Sequence, residues 1–144
     1  MREILFRAKA INRVPGREYR TKYKNGDWVY GLLEKPRYPE FPELPAEMRN
    51  TDGVSGIEVD FDTIGQYIGL MDKNGVKIFE GDIVRVNGTN YVVIFNTLEG
   101  CAEFALKEDA DVPVPFGFDY VNIPMEVIGN IYDNPELLGG DGNA

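Results

Sequence analysis

Histidine is absent from this 144-residue chain, and cysteine occurs once, as Cys101. The first absence removes the usual general base near neutral pH, the Ser-His and Cys-His nucleophile pairs, and every zinc set that uses an imidazole. The second removes any internal disulfide and any all-cysteine zinc site. Cys101 stands in "TLEGCAEFALK" among small and apolar neighbours, the setting of a buried structural thiol. No phosphate cradle of the form GxxxxGK(S/T) occurs. No apolar run approaches the roughly 20 residues that span a bilayer. "MREILFRAKA" lacks the apolar core of a secretory signal, so the expectation is a cytoplasmic protein without membrane contact. Long amphipathic helical periodicity is missing as well, which leaves a mainly β chain.

Charge is present, but unevenly. The net charge is −9, which disfavours generic DNA binding through phosphate neutralisation. Residues 1–24 nevertheless carry a net +6, so the remainder carries −15. A basic end on an acidic body can drive head-to-tail self-association, or hold an acidic partner such as a bacterial host protein. Within the basic end, Tyr19 and Tyr23 alternate with Arg17, Arg20, Lys22 and Lys24, the mixture that single-stranded nucleic acid binders use for stacking and charge. The candidate partner-binding residues are therefore Arg13, Arg17, Tyr19, Arg20, Lys22, Tyr23 and Lys24; a solvated basic hairpin is the plainer reading.

Period-two alternation marks the strands. Ile4, Phe6 and Ala8 alternate with Leu5, Arg7 and Lys9, and "WVYGLLE" supplies a partner for a long hairpin. In that second run Gly31 suggests a bulge or a close backbone approach, while Trp28 and Tyr30 share a face that core packing explains. Four prolines in residues 35–53 argue against a central strand and for a surface loop or partner-binding arm. "IEVDFD" places Ile57, Val59 and Phe61 opposite Glu58, Asp60 and Asp62, a water-facing acidic stripe. Asn74-Gly75 and Asn87-Gly88, each between apolar runs, predict hairpins, because both residues of the pair tolerate positive φ. Glu103–Lys107 reads as strand or helical turn, "MEVIGNIY" as a last strand, and "DNPELL" as a short C-terminal helical turn.

The acidic groups suggest chemistry that their spacing does not support. "DKNGVKIFEGD" offers Asp72 and Asn74 but places Gly too early for a calcium-binding EF-hand loop. Glu58, Asp60 and Asp62 would point the same way from one strand, whereas a glycosidase pair flanks its sugar. Glu80 and Asp82 bracket Gly81 as turn formers.

Three stretches carry a family resemblance: "MREILFRAKA" with "NGDWVYGLL", "DTIGQYIGLMDKNGVKIFEGDIVRV", and "EVIGNIYDNPELL". Together they resemble the YopX family of small proteins encoded by bacteriophages and prophages. The resemblance implies an all-β fold of small barrel-like subdomains, self-assembly, and no catalytic residues to carry over. The "GLxDKNGxxIxEGDIV" texture is also similar to SH3-like barrels. The organisation expected is a hairpin with basic arm and Pro-rich loop over residues 1–55, a barrel-like region over 56–138, and a flexible tail over 139–144. No cofactor, metal or catalytic residue is assigned. The functional expectation is a non-enzymatic, homo-oligomeric interaction protein of phage origin. The alternative is an accessory single-stranded nucleic-acid-binding protein acting through the Arg13–Lys24 arm.

Overall fold

Alternating apolar residues become strands wherever the backbone N–H groups are free to join a ladder. The computed structural model describes residues 3–12, 22–36, 40–41, 45–96, 103–107, 114–115 and 124–138. Its strands are β1 (Phe6–Lys9), β2 (Trp28–Lys35), β3 (Ala46–Asn50), β4 (Ile57–Val59), β5 (Gly65–Met71), β6 (Lys77–Phe79), β7 (Asp82–Val86), β8 (Thr89–Asn96), β9 (Glu103–Lys107), β10 (Val114–Pro115) and β11 (Met125–Asn130). Two 3-10 turns, Phe61–Thr63 and Pro135–Leu138, complete the regular structure, and α-helix is absent among the described residues. Hydrogen-bonded neighbours run β4-β3-β2-β1-β5-β6 in one sheet and β10-β9-β8-β7-β11 in the other. The pairings of β1 with β2 and β5, β2 with β3, β3 with β4, β7 with β8 and β11, and β9 with β8 and β10 are all antiparallel. The chain divides into two compact units, Met1–Tyr67 and Ile68–Ala144.

In the first unit the sheet closes on itself. Ala10, just beyond β1, bridges Val59 of β4. The Ile11 N–H donates to the Glu58 carbonyl at 2.8 Å, and the Asp60 N–H donates to the Lys9 carbonyl at 2.8 Å. Strands β1 to β4 thereby form a small barrel. Its interior is Ala8, Ala10, Val29, Ala46, Met48, Ile57 and Val59, with Phe6, Tyr23, Leu33 and Ile64 packed against it. Three alanines are what so narrow a closure admits, because few strands leave little lumen to fill; Met48 is the largest fully buried side chain.

The narrow lumen also fixes the phase of β2. Val29 points inward and is fully buried, so Trp28 and Tyr30 lie on the outer side, contrary to the core packing expected of them. The Pro-rich stretch is corrected in part. Residues 46–50 form β3, paired with β2 on one side and β4 on the other. Prolines end at Pro45, and every residue after it can donate to the ladder. A division at 55/56 is likewise displaced, since β4 pairs within the first unit. The acidic stripe is also shortened. β4 ends at Val59, and Asp60 instead accepts the Asp62 N–H (3.0 Å) to start the 3-10 turn, leaving Phe61 exposed.

The second unit joins the end of β5 and β6 to the five-stranded sheet through Ile68, Ile78, Val84, Val86, Val93 and Met125. β7 and β8 meet at a two-residue turn, with Val86 opposite Thr89 and both Asn87 and Gly88 at positive φ (52° and 83°). This is the primed turn that suits strand twist. Glu103–Lys107 is a strand, paired to β8, and Pro135–Leu138 is the expected helical turn. The tail 139–144 lies outside the described residues.

Gly31 is needed for close approach. A Cβ there would fall on the Arg49 carbonyl oxygen of β3. Gly31→Ala should therefore destabilise the protein by about 3 kcal/mol, the upper end of overpacking costs, measured as a shift in the urea midpoint at unchanged slope.

Candidate functional site

The basic arm divides between described and undescribed residues. Arg13, Arg17, Tyr19 and Arg20 lie outside the described residues; Lys22, Tyr23 and Lys24 lie within them. Tyr23 turns its ring against the barrel interior, and its hydroxyl accepts a hydrogen bond from Asn50 Nδ2 at 3.1 Å. Lys22 holds its Nζ 3.7 Å from the Asp52 carboxylate and 5.8 Å from the Tyr23 ring centre. The Lys24 N–H donates to Asp27 Oδ2 at 2.9 Å, and the Asp27 N–H returns to the Lys24 carbonyl at 3.0 Å. Of these three, Tyr23 and the Lys24 backbone help hold the base of the arm in place.

Next to that base, the outer face of β2 presents Trp28, Tyr30 and Leu32. Register places Lys9 opposite Trp28, Arg7 opposite Tyr30, and Arg49 opposite Leu32, and opposed residues share a face. The Arg7 guanidinium lies 4.6 Å from the Trp28 ring centre and Lys9 Nζ lies 5.4 Å from it. Arg7 is only 6% exposed, a burial that a flat, weakly hydrated cation against an indole tolerates. Tyr30 and Leu32 remain open to water at 39% and 48%. Arg49 reaches Glu34 at 4.0 Å and Lys35 reaches Glu47 at 3.9 Å, so the face has an apolar centre and a rim of mixed charge. Sequence reasoning missed this grouping. Its signal is the β1–β2 register, which joins residues about twenty positions apart.

Four of the buried polar side chains, Asn50, Asp72, Asp82 and Asn130, serve the turns. Asp72 Oδ1 accepts the N–H groups of Asn74 (2.8 Å) and Val76 (2.9 Å), and its Oδ2 accepts that of Val127 (2.9 Å) on β11. Asn50 repeats the pattern: its Oδ1 accepts from Asp52 (3.0 Å) and Val54 (2.9 Å). In both loops the fourth residue is a glycine at positive φ whose N–H donates to the first residue's carbonyl. In both, the second residue's N–H donates to a neighbouring strand, Thr51 to Tyr30 and Lys73 to Met125. "NTDGV" (50–54) and "DKNGV" (72–76) are thus one device used once in each unit. The turn at Asn74-Gly75 is accordingly not a two-residue primed turn; only Gly75 has positive φ, because the Asp72 carboxylate fixes a longer loop. Asp82 is buried and accepts the Phe79 N–H at 2.7 Å, and Asn130 accepts those of Tyr132 (3.0 Å) and Asp133 (2.9 Å).

The family model described as YopX protein matches residues 17–139. The chain belongs to the YopX family. A solved structure with a similar fold is the crystal structure of protein EF1440 from Enterococcus faecalis. The likeness covers 96% of this chain and 99% of that one, at TM-score 0.54 and 24% identity. No curated protein matches.

In this YopX-family chain Asp72 ties three backbone N–H groups to one charge. Burial pushes its carboxyl up, but the N–H groups of Val127, Val76 and Asn74, with Lys73 alongside, outweigh burial and hold it below the usual carboxylate range. A folded-state pKa below the unfolded one stabilises the fold at pH values above the unfolded pKa. That stability is lost as pH falls through the folded value, so the loss begins below about pH 4. Asp72→Ala should cost about 1.5–3 kcal/mol at neutral pH and remove this part of the acid dependence. Urea unfolding of both proteins from neutral to acid pH measures it, and parallel pH profiles would overturn the assignment.

Proposed function

We propose that this YopX-family protein is a non-enzymatic, oligomeric interaction protein of phage or prophage origin, working in the cytoplasm of a bacterial host. The observation that carries this reading is the outer face of β2. Exposed Tyr30 and Leu32 sit between Arg49 on one side and the Arg7, Lys9 and Trp28 cluster on the other. An apolar, aromatic centre inside a charged rim is the composition of a protein-contact surface. The occupant is a second copy of the chain, for which the +6 of residues 1–24 and the −15 of the rest supply complementary charge.

Two observations favour this reading over its rivals. Asn50, Asp72, Asp82 and Asn130 hold backbone N–H groups, which supports structural use of the buried polar side chains. The Tyr23 ring faces the barrel interior and two cations crowd Trp28, which reduces the aromatic surface open to bases; this weighs against binding of single-stranded nucleic acid through the arm.

Size-exclusion chromatography with light scattering, at low and high salt, tests the proposal. The expected result is a particle larger than one chain at low salt that shrinks as salt rises. Leu32→Glu should weaken association at least tenfold, about 1.4 kcal/mol, while leaving the urea midpoint nearly unchanged. A single-chain mass at every salt concentration overturns the self-assembly.

A further inference from the structure

The chain holds three Asn-Gly pairs, at Asn25-Gly26, Asn74-Gly75 and Asn87-Gly88. All three are exposed, so access to solvent does not tell them apart. Their backbone N–H groups do. The Gly26 N–H donates to the Ala10 carbonyl at 2.8 Å, and the Gly75 N–H donates to the Asp72 carbonyl at 3.0 Å. The Asn25 side chain is also engaged, its Oδ1 accepting the Asn12 N–H at 3.2 Å. Gly88 lies at the tip of the β7–β8 turn, where its N–H donates to no acceptor among the described residues and a Cβ would meet nothing within 4 Å.

We infer that Asn87 is a site of spontaneous covalent modification, deamidation through a succinimide, and that Asn25 and Asn74 are protected by the fold. The Gly88 nitrogen loses its proton to solvent and attacks the Asn87 side-chain carbonyl carbon. A C–N bond forms, the bond to the side-chain nitrogen breaks, and that nitrogen leaves as ammonia. Water then opens the five-membered imide at either carbonyl, giving aspartate or isoaspartate. The net change is one water consumed, one ammonia released and one negative charge gained. Glycine permits the attack because no side chain blocks its nitrogen. An N–H already held by a carbonyl is harder to deprotonate and cannot swing toward the asparagine. The isoaspartate product adds a backbone carbon to a turn whose register, Val86 opposite Thr89, sets the pairing of β7 and β8. β7 carries the buried Ile83 and Val84, so the product reaches the core of its unit.

The experiment incubates the full chain, folded and in denaturant, at mildly alkaline pH and physiological temperature. Tryptic fragments are then sequenced by mass spectrometry. Cleavage after Lys24, Lys73 and Arg85 puts the three pairs on separate peptides. The expected result is conversion of Asn87 several-fold faster than of Asn25 or Asn74 in the folded chain, with rates drawing together in denaturant. Equal rates in the folded chain, or faster conversion at Asn25 or Asn74, overturn the inference. Asn87→Asp should release no ammonia and gain no mass at this position, while leaving the other two rates unaltered.

Discussion

A strand that turns back leaves N–H groups that no ladder partner can reach, and a buried one left unmet costs about 1–3 kcal/mol. In this chain an Asp or Asn side chain meets those groups at the ends of β3, β5 and β11 and at the entry to β7. These four residues account for much of the polar burial. The reversals after β3, β5, β6 and β11 rest on this one kind of contact, and both units use it. Where the residue is Asp72, the same contact reaches beyond its own loop to β11, so a local turn also fixes a distant strand.

The first unit shows what close closure demands. With four strands around it, the fully buried interior accepts alanine, valine and isoleucine with a single methionine, Phe6 and Tyr23 pack against it only in part, and Trp28 and Tyr30 are left outside. Gly31 lets β2 and β3 come together. The outer aromatic face of β2 is therefore a by-product of the same geometry: bulk excluded from the lumen has to be placed on the surface, where cations and water meet it.

Alternation made the strands legible wherever one face met water. "IVRV" and "YVVIF" around Asn87-Gly88 gave the β7–β8 hairpin directly, because both turn residues take positive φ. Asn74-Gly75 showed where a reversal lies but not its type, since the dipeptide does not reveal that Asp72 holds the loop. β3 was hidden because four prolines dominate residues 35–53, although they all precede Ala46. The phase of β2 runs against side-chain size, because the lumen selects for smallness and takes Val29 in place of Trp28 and Tyr30. The cation–aromatic cluster needs the pairing of β1 with β2, which is tertiary information. The match between "NTDGV" and "DKNGV" was readable, yet its meaning lies in hydrogen bonds that five letters do not display.

The bridge from Ala10 to Val59 has a kinetic consequence. It joins residues about fifty positions apart, and the entropy of closing a loop grows with its length. The β7–β8 turn and the two Asx loops close over two to five residues. Loop-closure entropy favours the local hairpins over the barrel, and the first unit is complete only when β1 has made its long-range pairings with both β4 and β5. A barrel left open at the seam between β1 and β4 would expose Met48 and its small neighbours to water.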